Sequence, residues 1–184
     1  MRYLLSVEQK VFFRQNQLIE LEDFFAPEKL QGEDLKKLAR DPQLLFLAGE
    51  FFDKKMLKLA IVRIIDLPYK KEASHTLQEV SCIQGLVGAC MIGIEGTTGL
   101  EANQNRDPFP QKEGSVVFFL PNKVWEKEAL EKRPQQKCLL IAFGDRTMCY
   151  TYNDKDPELL NIRKMGYSYG DRLSEEHFPL FSTR

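Results

Sequence analysis

The stretch from Gly114 to Phe143, GSVVFFLPNKVWEKEALEKRPQQKCLLIAF, constrains this chain more than any other. It divides into short strand patterns joined by turns. Val116 to Leu120 is a flat apolar strand that ends at Pro121, whose missing N–H cannot continue a sheet ladder. Val124 to Leu130 is mixed, a charged turn follows, and Lys137 to Phe143 is apolar again. Runs that are apolar at nearly every position suit strands covered on both faces.

The rest of the chain adds helices before this region and strands around it. Residues Gln17 to Phe25, QLIELEDFF, alternate apolar and acidic and then meet Ala26–Pro27–Glu28, the pattern of a short strand leading into a helix with proline in its first turn. Gly32–Glu33–Asp34 opens another helical stretch, with Leu35, Leu38, Leu44 and Leu45 at helical spacing and Pro42 as an interruption. Phe51 to Leu59 reads as helical too, with Phe52, Met56 and Leu59 on one face. From Ala60 the pattern changes to strands: Ala60 to Asp66, Leu77 to Ile83, and Leu86 to Ile94, which is almost wholly apolar. Gly96 to Gly114 is turn-rich and predicts a long loop or hairpin excursion. Thr147 to Tyr152 offers one more strand, and Asp154 to Arg184, punctuated by Pro157, Gly166, Gly170 and Pro179, predicts a tail of turns and short helix. Helices first and a succession of short strands afterwards predict an α+β fold with a barrel or jelly-roll sheet. The expected layout is a single domain over 1–184, with a helical buttress over 1–59, a barrel core over 60–152 and a tail over 153–184 packed on the barrel.

A chain of 184 residues is long enough for one domain with a real core. Its formal net charge of −1 gives no global pull toward nucleic acid or an anionic membrane. The basic clusters Lys54–Lys55, Lys70–Lys71 and Lys132–Arg133 are short and sit among acids. The longest apolar run, Gly85 to Ile94, falls well short of the roughly 20 residues a membrane helix needs. Met1–Arg2–Tyr3–Leu4–Leu5 runs into Glu8 and Lys10 without the apolar core of a signal peptide, so a cytoplasmic location is expected. Cys82, Cys90, Cys138 and Cys149 lack paired metal-site spacing and read as reduced core thiols. The glycine-rich segments match neither a phosphate loop nor a dinucleotide fingerprint, and no G-x-S-x-G elbow or helix–turn–helix pattern occurs.

In Gly114 to Phe143, and more loosely from Gln17 onward through Leu21–Glu22–Asp23–Phe24–Phe25, the chain resembles the prolyl hydroxylase-like group of iron(II)/2-oxoglutarate dioxygenases. The resemblance implies a double-stranded β-helix, a jelly-roll or cupin-like barrel buttressed by N-terminal helices. In that group a "G-x-hydrophobic-F-P" strand leads to a metal-binding histidine, and a 2-oxoglutarate-binding arginine opens the last strand. Here the histidine position falls near Trp125 and the arginine position on Lys137. The first histidine and the carboxylate, an H-x-D pair after an early strand, fall on His75–Thr76–Leu77. His75 would thus stand for the first ligand, while Leu77 stands where the carboxylate belongs. Neither leucine nor an indole, which has one N–H and no acceptor lone pair, can bind a cation. Two carboxylates lie near enough to substitute. Glu79 is two residues beyond Leu77 and keeps its face, whereas Glu126 beside Trp125 would point to the opposite one. Lys137 could pair with a dicarboxylate as a point charge, though without arginine's bidentate fork.

Each of these residues also has a plain reading. His75 lies in the polar run KKEASHT and reads as a solvated surface histidine; His177 reads the same way in SEEHFP. Trp125 reads as a core aromatic and Lys137 as a solvated turn charge. The resemblance then implies a scaffold without its chemistry: a binding or regulatory protein, with no cofactor expected. An alternative is a working oxygenase that uses iron(II) and 2-oxoglutarate through a site rebuilt from His75, Glu79 and His177. The chain as a whole also resembles a chlamydial protein, which implies a third reading as a divalent-cation-responsive DNA-binding regulator. For that role Tyr150, Tyr152, Tyr167 and Tyr169, with Arg163 and Lys164, could supply a base-stacking surface, but their first reading is that they pack the tail onto the barrel. The sequence names no partner and no oligomeric state.

Overall fold

A computed structural model describes residues 4–30, 35–67, 74–96, 108–127 and 135–183. The N-terminal part is helical for reasons that are local. Helix α1 (Val7–Asn16) starts at a capping box: the Ser6 hydroxyl accepts the Gln9 N–H, and the Gln9 side chain accepts the Ser6 N–H. Helix α2 (Pro42–Phe52) starts at Asp41, whose carboxylate accepts the N–H groups of Gln43 and Leu44. Pro42 therefore opens a helix instead of interrupting one, because the first helical position needs no N–H donor. Pro27–Lys29 and Leu35–Arg40 are short 3₁₀ turns. The expected helix start at Gly32–Glu33–Asp34 lies outside the described residues.

Strand β1 (Leu18–Leu21) follows α1, and strand β2 (Met56–Leu67) follows α2. The helical reading of Phe51 to Leu59 fails beyond Phe52. Asp53 takes a left-handed conformation that stops α2, and Met56 to Leu59 already belong to β2. Next come β3 (His75–Thr76), the one-turn helix α3 (Leu77–Val80), β4 (Ile83–Glu95), β5 (Val116–Phe119), β6 (Val124–Trp125) and β7 (Gln136–Tyr150). Helix α4 (Leu159–Lys164) and strand β8 (Leu180–Ser182) complete the chain. The mixed strand expected over Val124 to Leu130 is reduced to β6 within the described residues, and Thr147 to Tyr150 is the end of β7, not a separate strand. Of the turn-rich excursion, residues 97–107 lie outside the described residues.

The main sheet has the order β1-β5-β4-β7-β2-β8, each neighbour antiparallel, and β3 pairs with β6 in a small second sheet. Irregular register between Leu59 and Ile61 on β2, and at three places on β4, bends and twists the long central strands. Gly85 meets one of these places at φ 91, a conformation that costs glycine nothing. The curl gives the sheet two differently covered faces. On one, Leu139, Ile141, Phe143, Cys90, Ile92 and Phe118 pack on α1 and α2 through Phe13, Phe51 and Phe52. On the inner face, Leu140, Ala142, Met91, Ala89, Phe119, Ile61 and Ile65 meet Trp125, Leu77 and Phe109. That inner face is closed by the tail, which contributes Leu159, Ile162, Leu173 and Phe178. The tail also returns to the sheet edge, since β8 pairs with the start of β2. No helix among the described residues is long and apolar enough to cross a membrane.

Candidate functional site

The two residues that matter most meet across the small sheet. His75 on β3 and Trp125 on β6 are direct register partners, with ring centroids 5.3 Å apart. Both are buried, His75 at 8% exposure and Trp125 at 2%. His75 is therefore no solvated surface histidine, despite its polar neighbours. Pairing with β6 turns its ring inward. Phe109 and Phe119 pack edge-on against the same indole at 5.3 and 6.1 Å. The Trp125 Nε1–H is buried and has no hydrogen-bond acceptor among the described residues. Leu77, which the resemblance puts at the carboxylate position, is fully buried in the inner core.

Glu79 is exposed and engaged in a reciprocal cap. Its Oε2 accepts the Thr76 N–H at 2.7 Å, while its own N–H bonds the Thr76 hydroxyl at 3.2 Å. That backbone bond is the main cause that holds the Glu79 carboxyl pKa below the ordinary glutamate range, with the Thr76 hydroxyl second. Glu126 is exposed beside Trp125. Lys137 lies near the start of β7, opposite Asp66 on β2 and Glu95 on β4, and its ammonium pairs with Glu95 at 2.7 Å. It is a strand residue and not a turn charge. Because Cys138 and Leu140 face the inner core while Leu139 and Ile141 face the helices, alternation puts Lys137 on the helix-side face. His177 lies in the tail, where its Nδ1 is 3.0 Å from the Tyr167 hydroxyl. That hydroxyl also meets the Ser174 hydroxyl at 2.7 Å and accepts the Ser174 N–H.

The structure thus brings together His75, Trp125 and Leu77 and keeps Glu79, Lys137 and His177 in separate roles. Among the described residues no group of three His, Cys, Asp or Glu side chains is placed to hold a metal ion. The tyrosines do not share one surface either: Tyr150 is buried, Tyr167 packs on His177 and Phe178, and only Tyr152 and Tyr169 are well exposed. Cys82, Cys90 and Cys138 are buried, whereas Cys149 is half-buried. Burial pushes the Cys82 thiol up to about 12, with the Asp156 charge adding to it.

Sequence reasoning missed two contributors. Phe109 was hidden in the turn-rich segment, where its being the one aromatic of DPFP was the available signal. Asp156 is nearly fully buried and pairs with Arg63 at 3.4 Å, a contact between strand β2 and the tail that no local pattern marks.

No protein-family model matches the chain, and no curated protein matches it. Solved structures do. The non-heme alpha ketoglutarate dependent carbocyclase SnoK from nogalamycin biosynthesis aligns at a TM-score of 0.72 and 16% identity, over 97% of each chain. The epimerase SnoN, in a complex with Fe3+, alpha ketoglutarate and nogalamycin RO, aligns at 0.67 and 12% identity, over 96% of this chain and 98% of its own. CT296 from Chlamydia trachomatis aligns at only 0.49 and 14% identity, over 79% of this chain and 99% of its own. At such identities the first two likenesses establish the architecture alone: an α+β fold whose curled antiparallel sheet is a double-stranded β-helix.

Proposed function

We propose that this chain keeps the dioxygenase-like barrel but has lost iron/2-oxoglutarate catalysis, and acts as a binding or regulatory protein. The observation that carries this reading is the composition of the small sheet. Where two metal ligands would complete a site around His75, Leu77 and Trp125 stand, both buried in apolar packing. An iron(II) site needs several N and O donors on one open centre. The described residues do not fit it: Glu79 is engaged by the Thr76 N–H, and His177 is bonded to Tyr167. Lys137 on the helix-side face, paired with Glu95, does not fit a dicarboxylate inside the barrel.

Isothermal titration with manganese(II) or iron(II) under anaerobic conditions, with and without 2-oxoglutarate, tests the proposal. The expected result is no stoichiometric binding in either case. Stoichiometric binding that strengthens with 2-oxoglutarate, together with decarboxylation of 2-oxoglutarate, would overturn it. That outcome would support the working-oxygenase reading, in which His75→Ala and Glu79→Ala abolish both metal binding and turnover.

A further inference from the structure

The contact between Arg63 and Asp156 has the form of a carboxylate site closed by the chain's own tail. Asp156 is 3% exposed and lies between β7 and α4. Its Oδ2 accepts the Cys82 N–H at 2.7 Å, and its Oδ1 accepts the Glu158 N–H at 2.9 Å. Arg63 projects from β2 beside the inner-face residues Ile61 and Ile65, and its Nη1 stands 3.4 Å from Asp156 Oδ1. That distance is at the outer edge of hydrogen bonding. Guanidinium normally grips a carboxylate with two parallel N–H bonds at shorter range. Here one nitrogen is used, and the other guanidinium donors have no partner among the described residues. The Arg63 side chain is 20% exposed and none of its nitrogens is among the buried polar atoms without a partner, so these donors are open to water and to a ligand that arrives from it.

Tethering explains the mismatch. Asp156 is bound by its own backbone to the turn that starts α4, because the same oxygen that faces Arg63 also holds the Glu158 N–H. It reaches the Cys82 amide but does not turn square to the guanidinium. An untethered carboxylate has no such restriction and could use both. We propose that Arg63 and the Cys82 amide form a binding site for a small organic carboxylate, which Asp156 fills and so holds closed. Entry of the ligand displaces Asp156 and with it the turn leading into α4, whose Leu159 and Ile162 cover the inner face. Binding is thereby coupled to release of the tail. The site uses neither His75 nor Trp125, so it stands or falls independently of lost catalysis.

The test replaces Asp156 by Ser or Gly and follows thermal unfolding against acetate, succinate or chloride at equal ionic strength. The expected result is a saturable rise in Tm with acetate and succinate, absent with chloride and abolished when Arg63→Gln is added. No saturable rise, an equal rise with chloride, or a rise that survives Arg63→Gln overturns the proposal. If these variants do not fold, hydrogen exchange on the unaltered protein decides. Succinate should then speed exchange over Asp156 to Lys164 while the Cys82 N–H stays protected. Unchanged exchange across that segment with added succinate refutes the site.

Discussion

Trp125 combines a large apolar payload with an indole N–H that finds no acceptor among the described residues. The two properties can be separated by mutation. Trp125→Ala should cost about 3–5 kcal/mol, the usual range for emptying a buried aromatic site. Trp125→Phe keeps most of the packing against Phe109, Phe119 and His75 while deleting the orphan donor, whose burial costs about 1–3 kcal/mol. Its net effect should therefore stay within about 1 kcal/mol of neutral. Chemical denaturation of both variants checks the pair, and a large loss in Trp125→Phe would mean that the N–H is satisfied. His75 shows how far single residues could be read. The polar run KKEAS before it suggested exposure, yet the ring is buried against Trp125. Burial was decided by which strand it pairs with, and nothing in the surrounding residues reports that.

At the scale of elements, the turn from β3 into α3 rests on the Thr76–Glu79 cap. The Glu79 carboxyl is more acidic folded than unfolded, so its stabilising contribution is present above the unfolded value and is lost as pH falls through the folded one. Acidification below the ordinary glutamate range should accordingly raise amide exchange at Thr76, and Glu79→Ala should do so already at neutral pH. Exchange at Thr76 that ignores both changes would count against the cap. The seam between β4 and α2 depends on Gly88, where an added Cβ would lie 2.3 Å from the Phe52 ring. Gly88→Ala should destabilise by about 1–3 kcal/mol, as overpacking of a filled core does, measured by the shift in denaturation midpoint at constant m-value. Helix α2 and strand β2 illustrate the limits of periodicity. Phe52, Met56 and Leu59 fit a helical face, but the left-handed Asp53 stops the helix after Phe52, and Met56 and Leu59 go into a sheet.

For the whole molecule, the tail decides whether the barrel has an interior. Among the described residues the small sheet consists of β3 and β6, and α4 and the residues after it cover the inner face. Ile162→Ala should cost about 2–5 kcal/mol, a core value for a residue near the C-terminus. Equilibrium unfolding measures it, and a loss below about 0.5 kcal/mol, typical of surface substitutions, would show that the tail is not part of the core.

Much of the architecture was written locally. The apolar runs of β4, β5 and β7, the prolines and glycines between them, and the caps at Ser6 and Asp41 each act within a few residues, so helices before strands and a curled sheet could be read directly. Tertiary structure alone decided three things. It turned His75 inward against Trp125, set Lys137 against Glu95 on the helix-side face, and brought Asp156 across the fold to Arg63 and Cys82. Each depends on which face of a strand is covered, or on a contact between distant segments, and a local pattern of apolar and polar residues carries neither.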